Sequence, residues 1–89
     1  QVEVSTAPRI VINVTEFGEF MLAGRQVTAA QLQQQLHNRI RKEGRELEVR
    51  IRSDRNIAFA KVSPIMLACA KVGIWNVTFA VYQAVEGSR

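Results

Sequence analysis

His37 and Cys69 are each the single residue of its type in the chain, and neither is placed for catalysis. His37 follows Leu36, a member of an apolar stripe at helical spacing, so it falls beside that stripe and reads as a surface histidine. Cys69 falls on a second apolar stripe, where an apolar wall raises a thiol's pKa and silences it. Acid–base catalysis needs titratable groups gathered in one pocket. A metal site needs a cluster of His, Cys or carboxylate, and one His and one Cys on separate helices make none. Neither a glycine-rich phosphate loop nor a G-x-S-x-G elbow occurs. The expectation is a protein that is not an enzyme and carries no cofactor or metal.

Asp54 asks for a closer reading. It interrupts the alternation Val49-Arg50-Ile51-Arg52 inside a polar knot, Ser53-Asp54-Arg55-Asn56. A carboxylate there could act as a ligand or a base. It also fits turn chemistry, in which Asp and Asn side chains bond nearby backbone amides. The turn reading has Asp54 end the strand and organise the path to Ile57.

Twelve basic residues against eight acidic leave a net charge of +4, gathered in Arg39, Arg41, Lys42, Arg45, Arg50, Arg52 and Arg55. Such an excess favours an anionic partner, or is simply a solvated face. Glu43, Glu46 and Glu48 interleave with these cations and dilute the field. An RRM needs paired aromatics on a basic strand, and ELEVRIR has none; a KH domain needs a G-x-x-G loop, also missing. Nucleic acid is therefore not the expected partner. A soluble binding module for an anionic polymer, nucleic acid or peptidoglycan, stays as the alternative class.

The elements that position these residues follow from periodicity. Ile10, Ile12 and Val14 alternate as a strand, Thr15 to Gly18 form a hairpin loop, and Glu19 to Leu22 return. Ala23-Gly24-Arg25 turns the chain. Thr28 with Gln31 makes a capping box, Val27 and Leu32 stand at staple positions, and Gly44 stops the helix, predicted over 29–43. Residues 47–52 alternate as a strand with one charged face. Val62, Ile65, Met66, Cys69 and Val72 mark a second helix closed by Gly73. Its start is open between Ser63-Pro64 as N-cap and first turn, and a point before Val62. Trp75, Val77, Phe79 and Val81 alternate with Asn76, Thr78, Ala80 and Tyr82 as the last strand. The order β-β-α-β-α-β predicts an α+β, two-layer sandwich with both helices on one face of a mixed sheet.

At 89 residues, with 47% hydrophobic and 22% charged residues, the chain is one ordinary small domain. Residues 1–8 read as a tether, 9–83 as the domain and 84–89 as a fraying tail. No signal peptide and no run of about 20 apolar residues is present. A chain opening at Gln1 reads as a piece of a longer protein.

The joint spacing resembles the periplasmic domains of the ExbD/TolR family. There, an alternating strand ends in a small residue plus Asp; an apolar residue, an aromatic, a Met-containing helix, a closing Gly and an apolar strand follow. Ser53-Asp54, Ile57, Phe59, Val62, Met66, Gly73 and Val77 repeat that order without gaps, and Gly24 before Val27 with an LxxxL helix extends the likeness over residues 9 to 82. Ser53 replaces the usual Ala, Phe59 the usual Tyr, Leu67 stands where an acidic residue is common, and Pro64 is unusual at its position. These departures bear on the surface of the second helix.

The resemblance implies a bacterial inner-membrane protein with one N-terminal membrane helix, a linker and this domain in the periplasm. It implies an ExbB/TolQ-type proton channel as partner of the membrane helix. It implies that the domain passes motion driven by the proton-motive force to a TonB- or TolA-type protein, or holds the cell wall. The family's proton-responsive aspartate lies in the membrane helix, so Asp54 is not the proton carrier; Asp54, Phe59, Met66 and Gly73 are structural motif positions. Partner contact is expected by strand addition at an exposed edge, which also favours homodimers. The surfaces expected to carry it are the last strand, with Trp75, Val77, Phe79 and Tyr82, and the charged face of Arg50 and Arg52.

Overall fold

The computed structural model describes residues 7–82. Residues 1–6 of the expected tether and all of the expected tail lie outside the described residues. The chain forms β1 (Arg9–Val14), β2 (Phe20–Leu22), β3 (Arg25–Val27), α1 (Ala29–Glu43), β4 (Glu48–Asp54), α2 (Phe59–Lys71) and β5 (Val77–Tyr82). One five-stranded sheet runs in the order β3-β2-β1-β4-β5. The β1–β2 and β2–β3 pairs are antiparallel, while β1, β4 and β5 run parallel. The expected α+β arrangement, a mixed sheet with two helices, is what the chain adopts.

The core lies between the sheet and the helices. Ile10, Ile12 and Val14 of β1 and Val49 and Ile51 of β4 meet Leu32 and Leu36 of α1 and Val62, Ile65 and Cys69 of α2, all buried. Alternation along the strands leaves Arg9, Val11 and Asn13 of β1 and Arg50 and Arg52 of β4 on the opposite, open face.

Helix α1 forms where the capping box placed it: Thr28 Oγ1 accepts the Gln31 amide at 3.0 Å, and Gln31 Oε1 accepts the Thr28 amide at 2.9 Å. Gly44, at φ +90°, ends it. A third strand, β3, takes up Arg25 to Val27, so that Arg25, expected in the turn, belongs to a strand. Ala23 and Gly24, at φ +53° and +78°, make a two-residue hairpin turn that folds β3 back on β2.

Helix α2 begins at Phe59, so the earlier of the two expected starts is correct. Pro64 sits in the second turn and supplies no amide for the Ala60 carbonyl. Ser63 is not the N-cap; its hydroxyl donates to that freed carbonyl at 3.3 Å. Met66 does not belong to the buried stripe and is 39% exposed, because Ala68 completes the core-facing side instead. Trp75 likewise precedes the last strand, which starts two residues later, at Val77.

A Schellman motif closes α2. The Gly73 amide donates to the Ala70 carbonyl at 3.1 Å and the Ile74 amide to the Cys69 carbonyl at 2.9 Å, with Gly73 at φ +83°. The motif turns Ile74 into the core and sends the chain to β5.

Candidate partner-binding edge and face

β5 is an edge strand, and its two sides differ. Residues in register across a sheet share a face, so Val77 and Phe79 lie on the helix side with Val49 and Ile51. Thr78, Ala80 and Tyr82 lie on the open face with Arg50, Arg52 and Asp54. The helix side of β5 is incompletely covered: Phe79 is 48% and Val81 55% exposed, and Trp75, just ahead of the strand, is 69% exposed. Phe59, Met66 and Leu67 add further exposed apolar surface on α2.

Among the described residues, the backbone of that edge is unpaired in the same places. The Val49 amide donates to the Asn76 carbonyl and the Arg55 amide to the Tyr82 carbonyl. In a parallel strand a residue's N–H and C=O point to the same side and alternate along the chain. Even-numbered residues of β5 therefore address β4, and Phe79 and Val81 address the open edge.

The open face holds an ordered polar cluster. Arg9 Nε donates to Glu48 Oε1 at 2.8 Å, Arg50 Nη2 to Glu48 Oε2 at 3.2 Å and Thr78 Oγ1 to Glu48 Oε2 at 2.8 Å. Arg50 Nε also reaches Thr78 Oγ1 at 3.4 Å. The Arg9 hydrogen bond, then that of Thr78, holds the Glu48 carboxyl below its ordinary value, against the opposing effect of burial. Arg52 stacks over Tyr82 with 5.4 Å from the guanidinium carbon to the ring centroid.

Asp54 ends β4 in register with Tyr82. Its Oδ1 accepts the Asn56 amide at 2.8 Å and its carbonyl accepts the Ile57 amide at 3.1 Å. This is an Asx turn with the carboxylate turned inward on its own backbone. His37 is exposed on α1, whereas Cys69 is buried in the core, and that burial pushes its thiol up to about 11. Among the described residues no group of His, Cys, Asp and Glu could hold a metal ion.

Of the residues singled out for partner contact, Arg50, Arg52 and Tyr82 share the open face, whereas Val77 and Phe79 belong to the other side of the sheet. Trp75 sits at the strand's entry. The sequence does not reveal Glu48 and Thr78, which bond Arg50, or Arg9, which shares the Glu48 carboxylate with it. The alternation Glu48-Arg50-Arg52 marked the face, but only the pairing of β1, β4 and β5 brings the partners together.

The described residues thus combine a polar open face, an apolar edge with exposed side chains and a carboxylate that forms a turn. The chain belongs to the biopolymer transport protein ExbD/TolR family, whose model matches residues 1–84. That is a transport and energy-transduction family rather than a family of enzymes. A search of curated proteins finds no match to the chain. Among the described residues no helix is long and apolar enough to cross a membrane.

Proposed function

We propose that this chain is the periplasmic domain of a single-pass inner-membrane energy transducer. A membrane helix outside this sequence works with an ExbB/TolQ-type proton channel, and the domain passes the resulting motion to a TonB- or TolA-type protein. The outcome is outer-membrane transport or envelope integrity. The family assignment supports the class of function. The observation that carries the mode of contact is β5, where free backbone groups and exposed apolar side chains fall on the same residues, Phe79 and Val81. An extended partner segment adds there as a sixth strand and covers the apolar row. A second copy of the domain uses the same edge to form the homodimer.

The test replaces Val81 by Pro in the whole membrane-anchored protein. Proline removes one outward amide and leaves the β4 ladder intact, which an edge strand tolerates. The variant should melt like the parent yet lose crosslinking, from a photoreactive group at Phe79, to the TonB- or TolA-type protein. Undiminished crosslinking in the folded variant sinks the edge as the contact.

The basic open face supports the second reading, a module for an anionic polymer such as peptidoglycan. It predicts binding that weakens steeply with salt and with Arg50 and Arg52 reversed to Glu. Partner capture that ignores both changes removes that reading.

A further inference from the structure

At the opposite edge of the sheet a cleft of about 330 Å³ opens between the β2–β3 hairpin and α1. Its floor is apolar, formed by Ile10, Leu22 and Val27. One wall is a row on α1, Gln31, Gln35 and Arg39, spaced four residues apart and so stacked along one side of the helix. Arg25 of β3 also lines the cleft. Among the described residues, the two ionisable side chains in the lining are arginines, with no carboxylate beside them.

Arg39 is poorly satisfied from within. Its Nε is buried without a hydrogen-bond partner and meets Glu43 only as an i,i+4 ion pair at 3.3 Å, which leaves the Nη1 group for a ligand. Its Nη2 reaches the Arg9 carbonyl only at 3.5 Å. A planar guanidinium with donors to spare, beside a second arginine, is built for a carboxylate. The surroundings choose the rest of the ligand. The Gln35 carboxamide can donate to and accept from peptide groups, Gln31 can donate while its oxygen stays in the capping box, and the apolar floor takes a neighbouring side chain. The volume is at the small end of ligand sites and suits a short segment rather than a folded surface.

We infer that the cleft between the β2–β3 hairpin and α1 binds a short acidic peptide segment, its carboxylate held by Arg25 and Arg39 and an adjacent apolar side chain seated on Ile10, Leu22 and Val27. The inference is independent of the β5 reading, which concerns the other edge.

The experiment titrates the ¹⁵N-labelled chain with acetyl-Leu-Glu-Leu-amide and, separately, with acetyl-Leu-Gln-Leu-amide. The acidic peptide should shift the amides of Ala23, Gln26 and Gln35 and saturate, with the neutral one at least tenfold weaker. Arg25 is exposed, so Arg25→Gln should keep the melting temperature and weaken the acidic peptide at least fivefold. Equal binding of both peptides overturns the inference, as do shifts confined to Arg50, Arg52 and Thr78, or none up to millimolar peptide. Inorganic phosphate that displaces the peptide at equal concentration also overturns it, since the site would then select charge alone.

Discussion

Arg9 and Glu48 are register partners in the parallel β1–β4 ladder, and their side chains close a 2.8 Å ion pair across the open face of the sheet. The pair joins strands 39 residues apart in sequence, and Arg50 and Thr78 complete the shell around the same carboxylate. A carboxylate that accepts three side-chain donors is favoured in its charged form.

The consequence is a defined acid limb. The folded-state pKa of Glu48 lies below the ordinary 4.5, so its stabilisation is fully present above that pH and is lost as pH falls through the lower folded value. Glu48→Gln should cost about 1 kcal/mol at neutral pH, a modest figure because Arg9 and Arg50 are partly exposed and screened. Urea unfolding between pH 7 and pH 3 should show the variant converging on the parent as acidity rises. Parallel curves would mean that Glu48 is not the titrating group.

Pro64 and Ser63 form a coupled defect and repair in α2. Pro64→Ala restores the amide that the Ala60 carbonyl lacks and should stabilise the domain by about 1–2 kcal/mol. The gain stays below the full cost of a helical proline, since proline also restricts the unfolded chain. Ser63→Ala should cost about 0.5 kcal/mol alone and nearly nothing once Pro64 is gone. A four-protein denaturation cycle reads the coupling, and strict additivity would refute it.

Ala23 occupies a left-handed conformation that costs an L-residue about 1–2 kcal/mol. Glycine removes that cost but gives back part of it through unfolded-chain entropy. Ala23→Gly should therefore raise stability by about 0.5–1 kcal/mol, measured as a higher thermal midpoint with an unchanged fold.

Cys69 should resist alkylation in the native state. With its pKa near 11, the thiol stays protonated at pH 8 and is shielded by the core. Iodoacetamide modification followed by mass should be slow in buffer and fast in denaturant. Because the folded pKa is the higher one, stability from the neutral thiol holds below pH 9 and declines as pH rises from 9 towards about 11.

Local signals carried most of the fold. The capping box and Gly44 bounded α1, and alternation identified β1 and β4 with their inward faces and β5 as a strand, though not which of its sides faces the helices. The strand β3 was hidden because its turn is Ala-Gly, and alanine rarely announces a left-handed position. The start of α2 was ambiguous because Ser-Pro is an N-cap signature that here lies inside a helix. Met66 was misplaced because an apolar residue next to a buried stripe has the same period as the stripe itself. Asp54 was legible as a turn former, since its partner is only two residues away. The Glu48 cluster was not, because its members meet only through strand order, and the arginine cleft depends on how β3 folds against α1.

The parallel run of β1, β4 and β5 has a mechanical meaning. β1 enters the sheet at one pole through Pro8, and β5 leaves at the other through Tyr82. Tension drawn between those two points acts along the strands, so it loads the β1–β4 and β4–β5 ladders in shear. Their hydrogen bonds then bear the load together, where a hairpin pulled at its open end would give way one bond at a time. Under such a pull the domain would hold as a rod holds, where a zipper would open.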